Sequence, residues 1–180
     1  MATVREGRKG ALVVVDVQVG VMESAWEADR VVGNIVHAVD RARAAGLPVI
    51  WVQHQDDELV PGTPSWQWVP ELGPADGEPL VAKEYNSSFE RTSLDGELAR
   101  LGVSHLALAG AATNWCIRAT AYAALERGYD LTLLKDAHTT GGEVAETVVD
   151  DLNTVIQWVS YADVSNAAVP AGELDFTALA

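Results

Sequence analysis

Ala11-Leu12-Val13-Val14-Val15, broken at Asp16, is the stretch whose reading decides the fold. An uninterrupted β-branched run with no polar alternation is the pattern of a strand covered on both faces, as in a parallel sheet between helices. Outward from it, Val32, Ile35, Val36, Val39 and Ala42 recur at helical spacing between about Asp29 and Ala45, and Gly46 and Pro48 punctuate the end. Further strands are expected at Pro48–Val52, Leu80–Ala82, His105–Ala109 and Leu131–Leu134, with a sixth at Tyr161–Val164. Between them, Thr92 and Asp95 form a capping-box pattern before a short helix carrying Leu94, Leu98 and Leu101 and closed by Gly102. A helix from Cys116 to Arg127 turns Ile117, Ala121, Ala124 and Leu125 inward. Thr140 and Glu143 suggest a second capping box, before a helix with Val144, Val148, Leu152, Val155 and Val159 on its apolar stripe. Residues 55–79, rich in Pro, Gly, Asp and Trp, hold no period and read as a long loop of the functional kind. Strand–helix alternation at this spacing implies βαβ units, right-handed crossovers and a mainly parallel sheet.

At 180 residues the chain is expected to form a single domain, residues 1–180, with a substantial core. The formal net charge of −14 disfavours nucleic-acid binding, which needs a basic footprint, and disfavours anionic membrane surfaces. One cysteine excludes an intramolecular disulfide and any cysteine-cluster metal site. The opening Met1-Ala2-Thr3-Val4-Arg5-Glu6-Gly7-Arg8-Lys9-Gly10 is charged, and the apolar run after it stops at Asp16. No signal peptide is therefore expected, and no run approaches the length of a membrane span. A cytoplasmic location is expected.

In parallel sheets, sites form outside the carboxyl ends of the strands. Asp16 follows the first strand, Lys83 the third and Cys116 the fourth, so three residues far apart in sequence fall on one rim. A thiol becomes a nucleophile when a base takes its proton or a cation favours its anion. Asp16, desolvated behind five apolar residues, can accept that proton, and Lys83 can hold the carboxylate and favour thiolate. Taken one by one, each has an ordinary alternative: Cys116 a small buried hydrophobe, Asp16 a turn former, Lys83 a solvated charge. Gly110, Ala111 and Ala112 permit either close approach of backbone donors to an oxyanion or tight packing of a helix on the sheet.

Three segments carry a family resemblance: Val14-Val15-Asp16-Val17-Gln18, Lys83-Glu84-Tyr85-Asn86-Ser87-Ser88-Phe89 and Gly110-Ala111-Ala112-Thr113-Asn114-Trp115-Cys116, with Asp136-Ala137-His138 closing the series. From about residue 10 to 165 the chain resembles the isochorismatase-like cysteine hydrolases, which include nicotinamidases, N-carbamoylsarcosine amidohydrolases and streptothricin-hydrolysing enzymes. The resemblance implies a Rossmann-like three-layer α/β/α sandwich with five to six strands. It implies an Asp16–Lys83–Cys116 catalytic triad, a cis peptide between Ala111 and Ala112, and an oxyanion hole at the N–H groups of Ala112 and Cys116. Members of this family commonly self-associate, so a homo-oligomer, dimer or larger, is expected.

One departure bears on chemistry. Nicotinamidases of the family bind a metal through Asp-x-His after the second strand and a further histidine. Here Gln53-His54-Gln55-Asp56-Asp57-Glu58 offers one histidine and no such motif. No metal and no cofactor are therefore expected, nicotinamide is not the expected substrate, and His54 is left as a surface-loop or substrate-site residue. Isochorismatases cleave a vinyl ether, some without the cysteine, so Cys116 favours amide chemistry. The expected activity is cleavage of a small amide, lactam or carbamoyl C–N bond through a thioester, with a cationic substrate matching the acidic chain. Gln18, Tyr85, Phe89, Trp66, Trp68 and Trp115 are expected around the substrate, although aromatics also pack cores and subunit contacts. The alternatives are enol-ether hydrolysis with Asp16 as acid, an inactive binding or scaffold member of the fold, and a redox-sensing cysteine.

Overall fold

The computed structural model describes residues 5–180, so the reading of residues 1–4 lies outside the described chain. Its sheet has six strands, β1 (Lys9–Val15), β2 (Val49–His54), β3 (Leu80–Lys83), β4 (Val103–Ala111), β5 (Asp130–Thr139) and β6 (Asn166–Val169). All pair in parallel, in the order β3-β2-β1-β4-β5-β6. The helices are α1 (Val19–Met22), α2 (Ala28–Ala44), α3 (Leu94–Leu101), α4 (Arg118–Glu126) and α5 (Ala145–Trp158).

The β1 run behaves as its composition dictates. Ala11, Val13 and Val15 enter one apolar cluster with Leu98 of α3, Ala121 of α4 and Ile156 of α5. Leu12 and Val14 enter the other, with Val31, Ile35 and Ala42 of α2. Alternate side chains therefore face two helical layers, which is the three-layer α/β/α sandwich and explains why no polar residue interrupts the strand. No described helix is long and apolar enough to cross a membrane.

Four expectations need correction. The sixth strand is Asn166–Val169, not Tyr161–Val164: Asp163 takes a left-handed turn (φ 63°), and the Asn166 side-chain amide donates to the carbonyls of Ile156 in the last turn of α5 and of Val159 just past its end. The inward face of α5 is Ala145, Val149, Leu152 and Ile156, leaving Val144 and Val155 exposed. Here a valine-rich helix offered two apolar stripes, and the sheet took the adjacent one. Neither capping box forms. Thr92 Oγ1 donates to the Ser88 carbonyl, and Thr140 Oγ1 donates to Asn114 Oδ1. Finally, Cys116 does not open a regular α-helix; Thr113–Ile117 is a π-helical turn that runs into α4.

The long loop is pinned rather than free. Its Gln67 and Ser65 carbonyls accept the N–H groups of Val19 and Gly20, and Val69 donates to the Val17 carbonyl. At its far end, Glu78 takes both Arg43 and the Trp51 indole N–H. Residues 65–69 are thus strapped across the segment that follows Asp16.

Candidate active site

Three strand ends and one turn converge at the carboxyl edge of the sheet. Asp16 leaves β1 in the left-handed region (φ 51°), a conformation that aspartate tolerates better than most residues and that is concentrated at functional sites. Its N–H is tied to the Val52 carbonyl at 2.9 Å. On the other side of β1, Gly110 has φ 126°, and a Cβ there would stand 2.0 Å from the Val15 carbonyl oxygen. The small residue before the nucleophile is thus required by the neighbouring strand just ahead of Asp16. The peptide bond between Ala111 and Ala112 is cis. Beyond it, the Ala112 carbonyl accepts the N–H groups of Trp115 and Ile117 and winds the turn that carries Cys116.

Lys83 is the hub. Its Nζ lies 2.6 Å from Asp16 Oδ2, 3.2 Å from Cys116 Sγ and 3.0 Å from His54 Nδ1. The Lys83 and Asp16 side chains are 0% and 2% exposed, and Cys116 is 9% exposed. Beyond Lys83 and the adjacent thiol, no donor reaches the Asp16 carboxylate among the described residues. Burial raises the Asp16 carboxyl above its ordinary range and outweighs the opposing pull of Lys83. Burial, then the Asp16 charge, pushes the Cys116 thiol up to about 12, against the opposite influence of Lys83. Burial thus favours the protonated form of both groups, against the pull of Lys83.

A model of the isochorismatase domain matches residues 10–159 of this sequence. The chain belongs to the isochorismatase family. Over 137 residues it is 38% identical to a streptothricin hydrolase of Streptomyces noursei, covering 72% of this chain and 54% of that one. It is 31% identical over 193 residues to the ureidoacrylate amidohydrolase RutB of Methylobacterium radiotolerans, covering 83% and 75% respectively. The chain spans about half the length of the two streptothricin hydrolases it matches. A crystal structure of an isochorismatase from Pseudomonas putida KT2440 superposes with a TM-score of 0.84 at 25% identity, covering 93% of this chain and 91% of that one.

Around Asp16, Lys83 and Cys116, the other expected site residues are dispersed. Gln18 is wholly buried and acts as a clamp: its amide donates to the carbonyls of His54 and Trp66, and its oxygen accepts the His54 N–H. Trp68 meets Trp51 edge to face at 5.2 Å and packs on the α2 side of the sheet. Phe89 lies in the same buried cluster as Cys116, tilted against Tyr129 at 5.8 Å. Tyr85 is exposed and accepts a hydrogen bond from Arg91. Trp115 is 58% exposed on the nucleophile turn. Trp66 holds the strap through its carbonyl, which also accepts the Gln53 amide, while its indole N–H is buried without an acceptor. The structure thus gives Gln18, Trp68 and Phe89 packing or clamping duties and brings His54 to the hub.

Two features went unread in the sequence. Asn86 places its Oδ1 4.0 Å from Cys116 Sγ, on an exposed segment that Ser88 ties to Thr120 of α4. Beneath the turn, Thr113 Oγ1 bonds His138 Nδ1 at 2.9 Å, and His138 Nε2 bonds Asn153 Oδ1 at 2.9 Å. Because the Asn153 amide donates to the Lys135 carbonyl, its oxygen must accept, which makes Nε2 the protonated nitrogen of His138. The Asp136-Ala137-His138 segment was visible as a motif, but nothing in it pointed to Thr113.

Among the described residues, no group of three or more His, Cys, Asp or Glu side chains is arranged to hold a metal ion. The 370 Å³ groove between α4 and α5 reaches the nucleophile turn only through Thr113 and Asn114. A 420 Å³ concavity lined by Gln55, Asp56, Asp57, Pro61 and Glu84 adjoins the hub through Asp56, which contacts the His54 ring.

Proposed function

We infer that this protein is a cysteine hydrolase that cleaves an amide, lactam or carbamoyl C–N bond of a small molecule. The observation that carries the reading is the single Lys83 ammonium shared between a buried carboxylate at 2.6 Å and the only thiol at 3.2 Å. The amidohydrolase activity named for one relative, a ureidoacrylate amidohydrolase, supports the choice of bond, and a streptothricin hydrolase among the relatives supports hydrolysis.

In this mechanism the thiol proton passes to Asp16 as Sγ adds to the substrate carbonyl carbon. The Lys83 ammonium stabilises the sulfur anion during transfer. The carbonyl oxygen becomes an oxyanion facing the N–H groups of Ala112 and Cys116. When the C–N bond breaks, Asp16 returns its proton to the departing nitrogen and a thioester remains. Water then adds to the thioester with Asp16 taking its proton, the C–S bond breaks, and the thiol is regenerated with release of the acid. The raised carboxyl of Asp16 suits both directions of transfer.

A net charge of −14 and an acidic concavity at Asp56, Asp57 and Glu84 favour a cationic substrate. The test is mass spectrometry with a panel of cationic amides and lactams. The wild type is expected to add one acyl group, on Cys116, and to release an amine or ammonia. Turnover persisting in Cys116→Ala would show that no thioester is involved.

A further inference from the structure

An ammonium has three N–H donors, and Lys83 spends all three, on Asp16, Cys116 and His54. The first two contacts belong to the proposed reaction. The third does not, and it is the most elaborately built of the three.

His54 and Lys83 are register partners on the adjacent parallel strands β2 and β3, so their side chains emerge side by side on one face. The His54 backbone is gripped at both its N–H and its carbonyl by the Gln18 amide, two residues after Asp16. Its ring is fixed from the far side, where Nε2 lies 3.1 Å from Asp56 Oδ2. Asp56 is itself immobilised, since its Oδ1 accepts the N–H groups of Glu58 and Leu59 at 2.8 and 2.7 Å. The Leu59 N–H, with Glu58 and His54, holds the Asp56 carboxyl below its usual range, so it stays an ionised acceptor. An acceptor at Nε2 requires that nitrogen to carry the proton, which leaves Nδ1 as a lone pair aimed at Lys83. The His54 side chain is only 16% exposed, so water does not readily replace it.

We propose that His54, oriented by Asp56 and clamped by Gln18, is a positioning residue that fixes the Lys83 ammonium on Cys116 Sγ, with its relevance to turnover resting on the hydrolase reading above. With its third N–H satisfied by a neutral acceptor, Lys83 points one donor at the sulfur and one at Asp16. The thiol hydrogen cannot then face Lys83 and is directed to the carboxylate that takes it. Removing the acceptor leaves a buried N–H unpaired, and the ammonium moves off the sulfur to find another partner.

Alkylation of Cys116 by iodoacetamide, followed against pH, tests this without any substrate. His54→Leu keeps the bulk and loses the acceptor; its alkylation is expected to be about tenfold slower at a given pH, with the profile displaced to higher pH. His54→Asn carries an acceptor near the Nδ1 position and is expected to restore the rate to within about twofold of wild type. Asp56→Asn, at the half-exposed outer end, shifts the profile in the same direction by less. Thermal melts of each variant verify that the fold is intact. A His54→Leu profile that superimposes on wild type overturns the proposal, as does a His54→Asn profile displaced as far as that of His54→Leu. Failure to find any hydrolysed amide, with the alkylation pattern as expected, sinks the hydrolase reading alone.

Discussion

The Lys83 ammonium and the Asp16 carboxylate meet at 2.6 Å with both side chains sealed from solvent. Burying two charges costs several kcal/mol each, and their attraction offsets that cost only while both remain. The pair is thus a poor source of stability and a sensitive one to break. Under the proposed reaction, the pair is kept for the Cys116 thiol, whose sulfur lies 3.2 Å from the same ammonium.

Lys83→Met leaves an uncompensated carboxylate in the core and is expected to cost about 3 kcal/mol of stability, along with turnover. The double variant Asp16→Asn/Lys83→Met removes both charges. It should recover most of the stability and none of the activity, as read from denaturant midpoints and hydrolysis assays. If the double variant were no more stable than Lys83→Met, the pair would not be coupled.

Asp16→Asn separates the base from its charge. Hydrolysis should fall by about two to four orders of magnitude, because no group remains to take the thiol proton. The same change removes the charge that, after burial, does most to raise the thiol. Cys116 should therefore ionise at lower pH than in the wild type and alkylate faster near neutrality. A profile displaced to higher pH would mean that Asp16 does not face the thiol as an anion.

Gly110→Ala forces a Cβ into the Val15 carbonyl and a left-handed φ onto a residue with a side chain. The expected loss exceeds about 1 kcal/mol. Because Val15 immediately precedes Asp16, activity should fall further than stability alone explains. Comparing turnover with the folded fraction at one temperature checks this. Turnover that simply tracks the folded fraction would confine Gly110 to strand packing.

Much of this was legible because the sheet is buried on both faces. Ala11–Val15 has no polar interruption, so it could only be a central strand, and placing that strand located Asp16, Lys83 and Cys116 on one rim. Legibility failed where a local pattern was overruled by a partner distant in sequence. Thr140 has the spacing of a cap, yet its hydroxyl is taken by Asn114. His54 looked like a loop residue because nothing in Gln53-His54-Gln55 records that β3 places Lys83 opposite it. Gln18 lies beside Asp16 in sequence, and nothing local records that its amide is spent on the backbone of His54 and Trp66. The aromatic residues of the strap were ambiguous for a related reason: composition does not say which side of the sheet a tryptophan packs on.

His138 makes the stability of the nucleophile turn depend on pH. Burial holds its imidazole down at about 4, from an ordinary value of 6.5, while Asn153 pulls weakly the other way. A histidine whose folded value lies below its unfolded one binds fewer protons in the native state across that interval. Stability contributed here is therefore present above pH 6.5 and is lost as the pH falls towards 4, by up to about 3 kcal/mol. Asp16, whose carboxyl is raised, works in the opposite sense, so the comparison must be made between variants that both keep it. His138→Gln loses the bond to Thr113 and should be less stable at pH 7 by about 1 kcal/mol. Its denaturant midpoint should then decline less steeply than that of the wild type between pH 6.5 and 4, because the titrating ring is gone. Parallel declines in the two proteins would show that the acid sensitivity arises elsewhere and that Thr113 is held without a buried neutral imidazole.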